Sequence, residues 1–332
     1  MEYISRLKAA MHEKNIAKEQ IEMCVEYAAA LRRKCLPVIF DKKHLHQILR
    51  IYKINMFRYH SFFITNKSKS RYVCAPGKML KTRQQWILKN ILEYAELSDN
   101  CHGFVKNRSI LTNAERHLGK KYILNMDIKD FFPSITHESV INVFKDFGYT
   151  TPVSQMLAEL CTYRNEFMER VLPQGAPTSP ALANIYCKSM DAELERLAVE
   201  RSAVYTRYAD DITFSSDNEL VSCISEIEKI FRKYGFRSNR EKTRLIEGER
   251  RKMVTGLVVS DDIRVPKSFK RKLKQEIYYC KKFGVAAHLE NSKVKKCANY
   301  REHLYGKAYY VKMVEPEIGE RFLSELDSIE WT

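Results

Sequence analysis

The sequence predicts an α+β fold. Apolar residues recur at helical spacing over most of the chain, while strand-like segments are short and few. One of these, VYTRYADDITFSS (Val204 to Ser216), reads as a hairpin with two adjacent aspartates near its turn. At 332 residues the chain can bury a substantial core shared among two or three intertwined lobes.

Residues 3 to 35 read as one or two helices, with Ile4, Leu7, Ala10 and Met11 at helical spacing. FFITNKSKSRYVCAP, from Phe62, reads as a hairpin turning at Asn66 to Ser70, and Pro76-Gly77 then breaks the chain. A helix follows through RQQWILKNILEYAE. KKYILNMDIKDFFPSI carries a short strand with Ile123, Asn125 and Asp127 on one face, ended by Pro133. Helical segments come next near 137–147 and 152–163. Ser179 followed by Pro180 then reads as an N-cap with proline at the first helical position, opening a helix to about Glu200. After the aspartate hairpin, a helix at 218–234 leads to two short strands in GFRSNREKTRLI and KMVTGLVVS, and the remainder is helical and basic.

Composition narrows the class. Apolar residues make up 45% and charged residues 30%, which fits a soluble globular protein and argues against extensive disorder. Nine cysteines without a Cys-x-x-Cys pair point to reduced thiols in a cytoplasmic setting and against a disulfide framework or zinc site. The N-terminus has no signal-peptide core, and no apolar run is long enough to span a membrane. The net charge of +16 calls for a polyanionic partner, nucleic acid before an anionic membrane surface. From Asp262 to Lys312 fourteen Lys/Arg face four Asp/Glu, interleaved with aromatics such as Phe269, Tyr278, Tyr279 and Phe283. Cations can follow phosphates and flat rings can stack on bases, so this stretch is the expected nucleic-acid lobe. A solvated helical face over a tyrosine-lined core is the alternative.

Adjacent aspartates repel, and aspartate is a poor strand former, so a bound cation would explain the pair. A solvated turn would explain it as well. Two-metal phosphoryl transfer needs carboxylates from separate elements to converge on ions about 3.5–4 Å apart. A strand-helix-strand-strand arrangement would bring Asp127 to Asp210-Asp211 across neighbouring strands.

These residues resemble the reverse transcriptases. Tyr208-Ala209-Asp210-Asp211 is similar to their Tyr-x-Asp-Asp box, Asp127 with the following IKDFFPSI to their first catalytic block, and LPQGAPTSP (Leu172 to Pro180) to their Pro-Gln-Gly block. GFRSNREKT adds a further match, and the blocks stand in the family's order. NAERH (Asn113 to His117) resembles the Asn-Ala-x-x-His element of bacterial retron reverse transcriptases, and Val254-Thr255-Gly256 their Val-Thr-Gly element. The likeness spans about residues 60 to 260, and the basic C-terminal part matches in character more than in motif.

The resemblance implies a right-hand polymerase: an N-terminal helical extension (1–35), fingers (36–120), a palm with an antiparallel sheet (121–260, with finger helices inserted near 137–165) and a small helical thumb (261–332). By the same likeness two Mg2+ ions, with Mn2+ as a substitute, would be held by Asp127, Asp210 and the main-chain carbonyl of Ile128, while Asp211 contributes charge. Lys242 would protonate the leaving pyrophosphate. Arg71 would hold the triphosphate, Phe132 would lie under the incoming sugar and exclude a 2′-OH, and Gln174 would stand beside the nucleotide, with Gly175 allowing close backbone approach. Val254, Thr255 and Gly256 would grip the primer, and Asn113, His117, Lys270, Arg271 and Lys274 would face RNA.

The implied activity is RNA-directed DNA synthesis of the retron type. A structured noncoding RNA would be the template, a guanosine 2′-OH the primer and small single-stranded DNA the product, with dNTPs as substrates, an effector protein as partner in antiphage defence, and no membrane. The alternatives are a group II intron or diversity-generating reverse transcriptase, and a polymerase-fold protein that binds nucleic acid without catalysis. Only about 70 residues follow Gly256, which leaves room for a thumb but little else.

Overall fold

The computed structural model describes residues 2–51, 58–66, 69–248, 250–291 and 299–331. The first third of the chain forms α1 (Glu2–Glu13), α2 (Lys18–Arg33), α3 (Lys42–Leu49), the hairpin strands β1 (Tyr59–Asn66) and β2 (Lys69–Pro76), α4 (Lys78–Asn90) and α5 (Ile110–Glu115). Next come β3 (Tyr122–Asp127), α6 (His137–Phe147), α7 (Thr151–Cys161), β4 (Tyr163–Arg164), β5 (Arg170–Val171), α8 (Ser179–Tyr186) and α9 (Lys188–Glu200). The last part holds β6 (Val204–Tyr208), β7 (Asp211–Ser216), α10 (Cys223–Lys233), β8 (Arg244–Ile246), β9 (Met253–Val254), β10 (Leu257–Val259), β11 (Ile263–Arg264), α11 (Lys267–Phe283), α12 (Val285–Asn291), α13 (Tyr300–Val314) and α14 (Pro316–Asp327). No helix among the described residues is long and apolar enough to cross a membrane. The eight described cysteines are free thiols.

Local chemistry explains the boundaries. Ser109 and Thr112 form a reciprocal capping box at the start of α5. The Thr136 hydroxyl accepts from Ser139 N–H at the start of α6, and Gly148 ends that helix with φ +107°. The helix expected from Ser179 to Glu200 is present but interrupted at Cys187, and the N-cap is Thr178, one residue earlier than expected. Bonds from Cys187 N–H to Ala183 O and from Asp191 N–H to Cys187 O, both with the α-helical four-residue spacing, bridge the interruption, so the two helices are nearly continuous. The expected helix through residues 83–96 stops at Asn90, where Ile91 leaves the helical region at φ −125°. Of the expected turn at Asn66 to Ser70, residues 67 and 68 lie outside the described residues.

The chain folds into two compact units, each assembled from three separated segments: Met1–Cys101, Ile128–Glu193 and Ile227–Ser238 in one, His102–Asp127, Leu194–Glu226 and Asn239–Thr332 in the other.

In the first unit, β1 and β2 pair in full antiparallel register from Tyr59↔Pro76 to Asn66↔Lys69. Gln84, fully buried on α4, donates from Nε2 to Leu160 O at the end of α7 (2.8 Å) and to Tyr59 OH (2.7 Å). A buried amide needs such partners, and these lock α4 to both neighbours.

The second unit carries a four-stranded antiparallel sheet in the order β6-β7-β3-β8 and a three-stranded sheet in the order β11-β10-β9. The two strands expected after α10 therefore part company: β8 joins β3, and β9 joins β10. Asn125 in β3 ties the two sheets, its Nδ2 donating to Met253 O (2.8 Å) and its Oδ1 accepting from the Thr213 hydroxyl (3.1 Å). Ile123, Val254 and Leu257 from the sheets pack with Leu273, Ile277 and Leu304 from α11 and α13 in one apolar core.

Candidate active site

All three aspartates belong to the second unit. Antiparallel pairing places Asp127, the last residue of β3, directly opposite Asp211, the first residue of β7. Tyr208 also pairs with Asp211, so β6 and β7 are joined by the two-residue loop Ala209-Asp210. Ala209 takes φ +57°, the left-handed conformation that a tight hairpin needs at its first loop position. Asp210 therefore stands at the hairpin tip beside the cross-strand pair. The puzzle of the adjacent aspartates resolves into strand register: one carboxylate closes the turn and its neighbour begins the strand.

Lys242 completes the cluster. Asn239 N–H donates to Asp127 O (2.7 Å), Lys242 N–H donates to Asn239 O (3.0 Å), and this turn brings Lys242 Nζ to 2.6 Å from Asp127 Oδ2. Asp127 is 5% exposed. Asp211 reaches solvent, yet the protein around it weakens its solvation; that desolvation first, then the Asp210 and Asp127 carboxylates, push its pKa up to about 6 against the opposing pull of Lys242.

Such a cluster suits a hard divalent cation. Among the described residues no three His, Cys, Asp or Glu side chains form a ready-made metal cage. Mg2+ does not require one, since it is commonly held by one or two carboxylates together with substrate phosphates and water. Desolvation is the larger cause of the raised Asp211 pKa; the repulsion from Asp210 and Asp127 that adds to it is a like-charge penalty a cation would relieve. Ile128, which follows Asp127, is buried and forms an isolated antiparallel bridge with Ser238.

The residues expected around the nucleotide lie in the first unit. Arg71 is on β2 opposite Ile64. Phe132 is half-buried, with its ring 5.3 Å from Phe131, which in turn stacks on Phe236. Gln174 O accepts from Cys74 N–H (2.8 Å). Gly175 has φ +129°, and a β-carbon there would stand 2.9 Å from Val73 Cγ1 and 3.2 Å from Cys74 O. What a β-carbon at Gly175 would crowd is the chain's own strand β2.

Four expectations for RNA or primer contact meet buried or engaged side chains. Asn113 and His117 are 1% and 0% exposed. The His117 ring bridges the Ser215 and Thr206 hydroxyls, each at 2.7 Å, so it joins β7 to β6 from within. Val254 is fully buried in the core. Lys270 donates to Glu315 at 2.5 Å, and Glu315 also accepts from Val265 N–H (2.8 Å), so its ammonium is spent inside the helical subdomain. His117 and Lys270 have polar partners there and Val254 apolar neighbours, whereas the buried Asn113 Oδ1 has no hydrogen-bond partner among the described residues. Thr255 and Gly256, with φ of +45° and +85°, form the two-residue β9–β10 turn, and the Thr255 hydroxyl donates to Ile110 O (3.3 Å) at the start of α5. Arg271 and Lys274 are exposed on α11, on one face with Lys267 and Tyr278.

Sequence reasoning passed over Gly103, which packs against the Ala209 backbone. A lone glycine in a loop carries no signal of what presses against it.

The family model described as reverse transcriptase (RNA-dependent DNA polymerase) matches residues 63–296. The retron Ec86 reverse transcriptase of Escherichia coli is 36% identical over 70% of this chain and 75% of its own length. The retron Mx162 reverse transcriptase of Myxococcus xanthus is 33% identical over 79% of this chain and 59% of its own length. A solved telomerase from Candida albicans, in complex with a fragment of telomeric RNA, aligns at TM-score 0.45 and 12% identity over 94% of this chain and 60% of that one, a distant likeness. With a family model covering most of its length and retron relatives at this identity, the chain belongs to the reverse transcriptases, among the retron type, and is an RNA-directed DNA polymerase with a right-hand polymerase fold.

Proposed function

We propose that this polymerase copies a structured noncoding RNA into a small single-stranded DNA, starting from a guanosine 2′-OH of that RNA and leaving a 2′,5′-branched RNA–DNA hybrid. The observation that carries the catalytic part is the cross-strand pair Asp127 and Asp211 with Asp210 at the adjoining turn. The template, the primer and a role in antiphage defence with an effector protein rest on likeness to the retron enzymes. The protein would act in the cytoplasm.

In each addition the primer hydroxyl releases its proton to solvent and attacks the α-phosphorus of a dNTP, a new P–O bond forms, the bond to the β-phosphate oxygen breaks, and pyrophosphate leaves. Asp127 and Asp210 would hold two Mg2+ ions, or Mn2+ in their place, with the Ile128 carbonyl as a further ligand. Bound there, the ions would supply Lewis-acid stabilisation of the charge that develops on the attacking and leaving oxygens. Asp211 contributes negative charge beside them. Lys242 holds a proton close to the carboxylates and delivers it to the departing pyrophosphate. Arg71 binds the triphosphate, Phe132 supports the sugar and excludes a ribose 2′-OH, and Gln174 lies along the nucleotide. Thr255 and Gly256 present the primer strand. Arg271 and Lys274 follow the phosphates of the RNA.

The test is to express the wild-type protein and Asp210→Asn in bacteria with the flanking genomic DNA, then run extracted nucleic acid on a denaturing gel before and after RNase and debranching enzyme. A small DNA made only by the wild type, and shifted by debranching, is expected. DNA without a branch would remove the 2′-OH priming, and synthesis by Asp210→Asn would remove the assignment of Asp210.

A further inference from the structure

The loop before α5 meets the hairpin that carries Asp210, and the contact is made of backbone. His102 N–H donates to Arg207 O (2.8 Å) at the end of β6. One residue on, a β-carbon on Gly103 would stand 2.4 Å from Ala209 N, 3.0 Å from Tyr208 C and 3.3 Å from Ala209 Cα. None of these atoms belongs to a side chain that could swing aside. The other side of the turn is held by Arg207, which is fully buried and donates from Nη1 to Ala209 O (3.3 Å).

Ala209 sits between these holds in a left-handed conformation that alanine seldom adopts, 7% exposed. A strained turn persists only where its surroundings over-determine it. Here they do: a hydrogen bond fixes the strand leading in, a buried guanidinium holds the turn's carbonyl, and the bare Cα of Gly103 lets the loop press against the peptide between Tyr208 and Ala209. His102 is itself anchored, 5% exposed, with its Nδ1 3.0 Å from the Thr112 hydroxyl of α5.

We infer that Gly103 is a positioning residue for DNA synthesis: by lacking a β-carbon it sets where the Ala209-Asp210 turn lies, and so where the Asp210 carboxylate is presented. The inference rests on the reading of Asp210 as a metal ligand. Alanine at 103 would push the turn by the better part of an ångström, since ordinary contact begins beyond 3.4 Å and the gap is 2.4 Å. Misplacement on that scale at a reacting centre lowers rates by about 100-fold.

The experiment compares the full-length wild type, Gly103→Ala, Asp210→Asn and the double variant Gly103→Ala/Ala209→Gly, whose glycine frees the turn to settle elsewhere. Three quantities are read: Mn2+ binding by electron paramagnetic resonance with a dNTP on a dideoxy-terminated primer–template, the single-nucleotide addition rate, and affinity for the RNA. Gly103→Ala is expected to bind Mn2+ at least ~10-fold more weakly and to add nucleotides ~100-fold more slowly, with unchanged RNA affinity. The double variant should recover part of both losses. Wild-type Mn2+ binding and rate in Gly103→Ala would overturn the inference. So would a chain that fails to fold with either substitution, since the contact would then serve the whole unit and not one turn. Asp210→Asn separates the two readings: if it binds Mn2+ and makes DNA like the wild type, the metal-ligand assignment itself falls.

Discussion

Lys242 Nζ lies 2.6 Å from Asp127 Oδ2, a half-exposed ammonium on a nearly buried carboxylate. The pair joins two proposed roles that sequence likeness treats separately, since the residue proposed to protonate pyrophosphate also neutralises the proposed metal ligand. Any cation that engages Asp127 must compete with this contact or share the carboxylate with it. Replacing Lys242 by glutamine should therefore divide its two effects. General-acid assistance is worth about 10²–10⁴-fold, so nucleotide addition should slow by about that factor. The half-saturating Mg2+ concentration should fall, because Asp127 loses its competing ammonium. Single-nucleotide extension across a Mg2+ titration measures both, and an unchanged rate would remove Lys242 from proton transfer.

Gly175 offers a test of how the Pro-Gln-Gly block works. Its φ of +129° and its 2.9 Å gap to Val73 leave no space for a methyl group. Gly175→Ala should cost about 1–3 kcal/mol of stability through strain and overpacking. It should also weaken dNTP binding, because the displaced strand β2 carries Arg71. Urea unfolding and the dNTP KM report the two effects, and a change in stability with an unchanged KM would confine Gly175 to packing.

A pH dependence follows from two buried histidines. Desolvation first, then the charges of His102 and Arg116, lower the His117 pKa from 6.5 to about 3. Desolvation first, then Arg108 and Arg116, lower that of His102 to about 4. In the unfolded chain both take up protons near pH 6.5, whereas in the folded chain they resist until far lower pH. Below pH 6.5 the unfolded state binds more protons, so stability is full above that pH and is lost as pH falls toward 4. Each histidine contributes up to about 1.4 kcal/mol per pH unit in that window. Thermal melts from pH 7.5 to 4.5 should show the decline, and His117→Gln should reduce the slope by one histidine's share. The same substitution disturbs the bridge between Ser215 and Thr206, at a cost of about 1–3 kcal/mol where their hydroxyls lose a partner.

The basic residues of α11 should not behave alike. Arg271→Ala and Lys274→Ala should each reduce the salt dependence of RNA binding by about one phosphate contact while leaving stability nearly unchanged. Lys270→Ala should do the reverse, because its ammonium is held by Glu315 and is only 17% exposed. Filter binding at several salt concentrations, paired with thermal melts, distinguishes them. A reduced salt slope in Lys270→Ala would mean that the ion pair opens to RNA.

What the sequence determined by itself is local chemistry and its order along the chain. The hairpin around Ala209-Asp210, the strand ending at Asp127, the basic helical C-terminal part and the succession of catalytic blocks are legible because side-chain period, turn residues and short spacings act within a few residues. Tertiary structure alone decided which groups meet. Asp127 faces Asp211 because β3 and β7 pair in one register, and Lys242 reaches Asp127 through a turn hydrogen-bonded to the end of β3. His117 and Lys270 read as RNA contacts in sequence, yet in the fold each satisfies a partner far along the chain, Ser215 and Thr206 for one and Glu315 for the other. Gly103 carries no side chain to announce a role, and the backbone that presses on it comes from a remote segment. A polar residue's type limits its possible partners, but whether it faces solvent or an interior partner is set by burial, and burial is a property of the assembled core.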